Sequence, residues 1–125
     1  MGFHIQMEQM PGYLAAKLIG AGEAGEGSQL FVSIAEHCKR TKNSKLLIDT
    51  TGFEVKLSVV DRFRIGASLE IFALHGIKVA VVCRPEQLDP RRLAILAARN
   101  RYVSVDVFTD FHAAEEWLLK WPPRA

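Results

Sequence analysis

The sequence predicts a single α/β domain with a mixed, mostly parallel sheet flanked by helices, in the order β-β-α-β-α-β-α-β-α. Three observations carry this. Strand-like segments alternate with segments of helical periodicity, the order that yields a parallel sheet with right-handed crossovers. Three of the later strands are nearly all apolar, as strands covered on both faces are. At 125 residues, 49% of them apolar and 24% charged, the chain is long enough to bury about two-thirds of its unfolded surface without metal or disulfide staples and too short for two cores. The domain is therefore assigned to residues 1–125.

Phe3, Ile5 and Met7 alternate with His4, Gln6 and Glu8, the period-two pattern of a half-buried strand. Met10-Pro11-Gly12 supplies a turn into a second strand, Tyr13 to Ile19, so the first two strands form an antiparallel hairpin. Gly20 to Gly27 reads as a glycine-rich loop, after which Ser28 is placed to cap a helix ending near Arg40. The next strand spans Lys45 to Asp49. A helix from about Ser58 to Leu74 is stopped by Gly76, and the apolar strand Ile77 to Cys83 follows. Asp89 and Pro90 open a helix to about Arg99, because the carboxylate accepts from free amides while proline at the first helical position forfeits a donor that had no partner. The strand Val103 to Phe108 and a helix from Asp110 to Trp121, closed by Pro122-Pro123, complete the order.

Composition narrows the function. No run of about eighteen apolar residues is present to span a bilayer, and the N-terminus lacks the basic stretch and apolar core of a signal peptide, so a cytoplasmic protein without an integral membrane segment is expected. Cys38 and Cys83 are far apart and form no Cys-x-x-Cys pair; both are expected as buried thiols, with no disulfide and no metal. The net charge is +2, and the cluster Lys39-Arg40-Thr41-Lys42 with Lys45 has no interleaved aromatics to stack bases, so it reads as a solvated helix end and no nucleic-acid partner is expected. His4, His37, His75 and His112 have no evident partners, and the acids and bases form no familiar catalytic set. No reaction and no cofactor are assigned.

Four features are candidates for function. Gly20-Ala21-Gly22-Glu23-Ala24-Gly25 matches the G-x-G-x-x-G fingerprint between a strand and a helix, with Asp49 beyond the next strand to reach a ribose. Against it, Glu23 and Glu26 would sit beside a pyrophosphate, the hairpin is foreign to that pattern, and the other reading is a connecting loop whose glycines permit positive φ. Asp49, Thr50 and Thr51 are expected just past the carboxyl end of a central strand, where open α/β sheets dock ligands, with Arg84 and Glu86 on the same edge lining a small cleft or simply a solvated loop. Ser58 is placed to cap the following helix with Asp61 three residues on, and a serine there is also a favourable place for a phosphate. In that helix Val60, Phe63, Ala67, Ile71 and Leu74 form a stripe expected to face the sheet, and Ile65, Leu69 and Phe72 form a second on the opposite side, a contact surface for a partner or a second copy of the chain unless neighbouring helices bury it.

The two opening strands, the strand Leu46-Leu47-Ile48-Asp49, the loop to Ser58, the strand Val79-Ala80-Val81-Val82 and the ending Val107-Phe108-Thr109-Asp110 through Ala113-Ala114-Glu115-Glu116-Trp117-Leu118 together resemble the STAS fold. The nearest likeness is to its anti-sigma-factor-antagonist-like branch, which shares a superfamily with lipid-binding Sec14-type domains. The resemblance covers nearly the whole chain and implies a non-catalytic regulatory module acting through a protein partner. In the regulatory members a serine at the start of the second helix is phosphorylated by a partner kinase; the matching residue is Ser58, within Leu57-Ser58-Val59-Val60 where those members usually show Asp-Ser-Ser-Gly. By analogy with the Sec14-type relatives, the alternative is a carrier or sensor of a small apolar or lipid-like ligand. A dinucleotide-binding domain using Gly20, Gly22 and Gly25 is the third reading.

Overall fold

A computed structural model describes residues 2–120. The alternating start of the chain forms β1 (Phe3–Met10), which turns at Pro11-Gly12 into β2 (Tyr13–Ala21). The two pair antiparallel from Phe3 opposite Gly20 to Met10 opposite Tyr13. Gly12 sits at φ +87°, a conformation glycine takes without steric cost. Strands β3 (Lys45–Glu54), β4 (Lys78–Val82) and β5 (Val105–Phe108) then add in parallel, giving the sheet order β1-β2-β3-β4-β5.

Side-chain alternation divides the core into two layers. Leu14, Ala16, Leu46, Ile48, Val79 and Val105 face α1 (Gly27–Arg40), α2 (Val59–Ser68), α3 (Glu70–Leu74) and α4 (Leu93–Arg99). Tyr13, Leu47, Ala80 and Val82 face α5 (Phe111–Lys120), through Ala114 and Leu118. Each large side chain fully buried in these layers contributes roughly 1.5–3 kcal/mol of transfer free energy. The mixed, mostly parallel sheet with helices on both faces is as the sequence predicts.

Several boundaries are corrected. Strand β3 runs to Glu54 because β2 also continues, and Ile19, Gly20 and Ala21 supply ladder partners to Gly52, Phe53 and Glu54; Asp49, Thr50 and Thr51 therefore lie inside the strand. Helix α1 starts at Gly27 after a short 3-10 turn, with Glu26 rather than Ser28 at the cap position. Helix α4 starts at Leu93, not Pro90, because Arg92 adopts the left-handed conformation (φ +54°). Asp89 still caps, its carboxylate accepting from the Arg91 N–H at 3.1 Å and the Leu93 N–H at 2.9 Å. The long helix expected from Ser58 to Leu74 divides at Leu69, whose N–H is shared between the carbonyls of Ile65 and Gly66 at 3.2 Å each. Gly66 and Ser68, whose hydroxyl donates to the Arg64 carbonyl at 2.8 Å, are residues that loosen a helical ladder. The expected last-helix residue Trp121 and the stop at Pro122-Pro123 lie outside the described residues.

Most of the stripe expected to face the sheet stands exposed, with Ile71 of that stripe half-buried on the core, and the other stripe packs inward. Val60, Phe63 and Leu74 are 54%, 47% and 72% exposed, whereas Leu69 and Phe72 are 4% and 0% exposed. Ile65, Leu69 and Phe72 thus belong to the core side and form no exposed contact surface. Periodicity cannot rank two apolar stripes; the ranking comes from Gly66, which seats α2 directly on the Ala94 carbonyl and Ala97 methyl of α4.

Candidate functional site

The register of β3 creates a cavity. Its last pair with β4 is Asp49 opposite Val82, so Thr50 to Glu54 run past β4, with β2 continuing beside Gly52 to Glu54. A register shift opposite Lys17 to Ile19 inserts an extra β3 residue, which resets the alternation so that Phe53 follows Ile48 and Thr50 toward the helices. Beneath this overhang and α1, α2 and α4 lies a cavity of about 440 Å³, within the range of small-molecule sites. Its walls are mostly apolar, including Leu18, Phe31, Ile48, Phe53, Ile65 and Val107. The Thr50 hydroxyl on the wall donates to the Val82 carbonyl at 2.9 Å, so no unmet polar demand is left there.

Charge gathers at the mouth. The Arg84 guanidinium pairs with Glu54 at 2.6 Å and Glu86 at 3.0 Å and donates to the Thr51 carbonyl. Gln87, which nothing in the sequence marked, fixes the overhang to the loop after β4: its amide donates to the carbonyls of Thr50 (3.0 Å) and Phe53 (2.9 Å), while its oxygen accepts from the Arg84 N–H (2.6 Å). Hydrogen bonding to its own backbone amide, then Arg84, holds the Glu86 carboxyl below its usual range. Asp89 is likewise lowered, chiefly by the Leu93 amide. Cys83 borders the cavity; burial pushes its thiol up against the smaller opposing influence of Arg84. Burial pushes the Cys38 thiol up to about 11. Both cysteines are buried and unpaired, as expected.

The structure brings Thr50, Arg84 and Glu86 together at this cavity; Asp49 and Thr51 do not line it, although the Thr51 carbonyl accepts from Arg84 at its mouth. The Asp49 carboxylate accepts from the Thr51 amide at 2.9 Å and hydroxyl at 2.7 Å, a local turn-like closure within the strand. Packing accounts for Gly20 and Gly22 of the glycine-rich segment, whereas Gly25 stands in open space. Gly20, at φ +116°, has Gly2 and Phe3 backbone about 2.9 Å from where a Cβ would stand, and a Cβ at Gly22 would meet the Phe53 ring at 2.7 Å. The Glu23 amide is occupied by the Glu26 carboxylate at 2.7 Å, which sets a negative charge where a pyrophosphate would approach.

Ser58 stands at the outer start of α2. Its hydroxyl accepts from the Asp61 N–H at 3.1 Å, and the Asp61 carboxylate accepts from the Ser58 N–H at 2.8 Å, a reciprocal capping box. The Ser58 amide, followed by its hydroxyl, holds the Asp61 carboxyl below its ordinary range. Val59, Val60 and Phe63 stand exposed in the first turns beside it. One helix thus presents Ser58 and an apolar patch outward while Arg62, Ile65 and the adjoining Leu69 border the cavity. Among the described residues no group of three or more His, Cys, Asp or Glu is placed to hold a metal ion, and no helix is long and apolar enough to cross a membrane.

No protein-family model matches the chain, and no curated protein matches it in sequence. Solved structures do match. An anti-sigma factor antagonist from Mycobacterium paratuberculosis aligns with a TM-score of 0.58 at 15% identity over 94% of each chain. An uncharacterized protein with a SpoIIAA-like fold from Shewanella loihica aligns with a TM-score of 0.53 at 22% identity, again over 94% of each. The Bacillus cell fate determinant SpoIIAA in its phosphorylated form gives 0.52 at 10% identity over 91% of this chain and 99% of that one. The protein has a SpoIIAA-like fold, the architecture that the sequence resembles.

Proposed function

We propose that this SpoIIAA-like domain is a non-catalytic regulatory module of the cytoplasm that docks a protein partner through the start of α2. The observation that carries the reading is the exposed cluster of Val59, Val60 and Phe63 around the capping hydroxyl of Ser58. Apolar side chains that meet water on a helix face gain by covering one another across an interface. Ser58 is the candidate switch. A phosphate on its oxygen adds up to about two negative charges beside the Asp61 carboxylate and within the apolar patch, opposing docking by repulsion and by the cost of desolvating the charge. The likeness in fold to an anti-sigma factor antagonist and to a protein known in a phosphorylated form supports this reading.

The test uses the full chain as bait in its own host, in three forms: unmodified, Phe63→Glu and Ser58→Asp. Aspartate is itself a good helix cap, so the last variant keeps its fold. A single protein, or a second copy of the chain, that binds the unmodified form and whose measured affinity falls about tenfold or more, equivalent to about 1.4 kcal/mol, with each variant supports the reading. Equal affinity for all three forms rejects it.

A second reading, a carrier or sensor of a small apolar ligand, is favoured by the 440 Å³ apolar-walled cavity under the β3 overhang. Thr50, Arg84 and Glu86 are its candidate binding residues, with the Thr51 carbonyl holding Arg84 in place and Asp49 shaping the strand. The two readings are compatible, since α2 borders both sites.

A further inference from the structure

The mouth of the cavity is acidic. Glu23, Glu26, Glu54, Glu86 and Asp89 border it against Arg62, Arg84 and Arg92, five carboxylates against three guanidinium groups. Two of the three cations are already engaged. Arg84 is shared between Glu54, Glu86 and the Thr51 carbonyl, and Arg92 turns to Asp106 at 3.6 Å. Arg62 adds a smaller share, after the Leu93 and Arg91 amides, to what holds the Asp89 carboxyl below its usual range. Glu23, by contrast, meets no basic side chain within ion-pair distance among the described residues, and Glu26 accepts only from the Glu23 amide. A charged group entering an apolar cavity loses hydration, a loss that an opposite charge at the rim offsets and a like charge deepens.

We infer that the cavity takes a small apolar molecule whose polar end is neutral or cationic and discriminates against a carboxylate-headed analogue with the same apolar body. The inference rests on the second reading above, that the cavity binds an apolar ligand, and adds the chemistry of the ligand's exposed end. The walls supply affinity without regard to that end, since a buried methylene gains about 0.8 kcal/mol whatever the molecule carries elsewhere. Selection belongs to the rim, where Glu23 and Glu26 on the α1 side oppose an incoming anion.

The experiment titrates the purified protein by calorimetry with decylamine, decanol and decanoate, which share one alkyl chain and differ in the head. All three are used below their micelle-forming concentrations at neutral pH, where decylamine is a cation and decanoate an anion. Decylamine and decanol are expected to bind at least about tenfold more tightly than decanoate, with the margin between amine and carboxylate shrinking as salt screens the rim. Decanoate binding as tightly as decylamine overturns the charge inference and leaves the apolar-ligand reading standing. Binding by none of the three overturns both. Two variants locate the effect. Ile65→Trp, which fills the cavity, should abolish binding of all three probes, and unchanged affinity would place the ligand elsewhere. Glu23→Gln with Glu26→Gln keeps an oxygen for the Glu23 amide and alters only exposed side chains; it should narrow the amine-to-carboxylate ratio several-fold, and an unchanged ratio overturns the assignment of the rim.

Discussion

The Tyr13 hydroxyl donates to the Glu115 carboxylate at 2.6 Å, joining the first residue of β2 to the middle of α5 across 102 positions of sequence. Tyr13 is wholly buried, and its ring fills the layer between the sheet and α5 with Leu47, Ala80, Ala114 and Leu118. Burial first, and then the bond to Glu115 with the charges of Glu115 and Glu8, hold this phenol well above its ordinary 10.0.

Tyr13→Phe should therefore lower stability at neutral pH by about 1.5 kcal/mol, the lower end for a hydrogen bond to a charged acceptor, because Glu115 keeps partial access to water. The pH dependence follows from linkage. A phenol raised in the folded state contributes fully below the unfolded value of 10.0 and loses that contribution as pH rises toward the folded value, since only the unfolded chain releases the proton. Urea unfolding of both proteins should show the native form losing stability above about pH 10 more steeply than Tyr13→Phe. Parallel slopes would mean that Tyr13 does not titrate differently on folding.

The two stripes of α2 and α3 are open to a paired test. Phe72 is fully buried and meets Phe31 edge-on with ring centroids 5.8 Å apart, so Phe72→Ala should cost about 3–5 kcal/mol. Phe63→Ala, on the exposed side, should stay within about 0.5 kcal/mol. Similar losses for the two in denaturant titration would show that the helix is rotated from the position described.

Gly66 gives the sharpest steric prediction. A Cβ there would lie 2.3 Å from the Ala94 carbonyl oxygen and 2.7 Å from the Ala97 Cβ, neither of which is a flexible chain end. Alanine gains about 1 kcal/mol of helix propensity over glycine, yet overpacking costs about 1–3 kcal/mol and forces α2 off α4. Gly66→Ala should lower the melting temperature, whereas Gly25→Ala, with nothing within 4 Å, should leave it within a degree or two. An unchanged melting temperature for Gly66→Ala would mean that the two helices are not in contact at this point.

Much of this architecture is legible in the sequence because its strands announce themselves locally. Period-two alternation gives β1, and continuous apolar runs give the segment from Leu46 to Ile48 and that from Val79 to Val82, with no knowledge of neighbours. The capping box of Ser58 and Asp61 is equally local, since its two hydrogen bonds close within three residues. What escaped the sequence depends on partners distant in the chain. Thr50-Thr51-Gly52 has the composition of a turn and becomes strand only because β2 offers a continuing edge. The sides of α2 are decided by a contact between Gly66 and α4, roughly thirty residues on. Gln87 reaches the carbonyls of Thr50 and Phe53, more than thirty residues back, and no pattern around Gln87 marks it. The cavity is the sum of such terms, a strand outrunning its neighbour and a register shift within it.

The strand order also bears on how an elongating chain acquires its shape. Each strand lies beside the one synthesised just before it, from β1 through β5. A ribosome adds roughly 5–20 residues per second, far slower than the microseconds in which a hairpin closes, so each new strand emerges to find its only required neighbour already waiting. Nothing in the sheet must be held open for a later insertion. Of the described elements α5 emerges last, and its arrival buries Tyr13, Leu47 and Ala80 together, covering the apolar back of what had been a one-sided sheet.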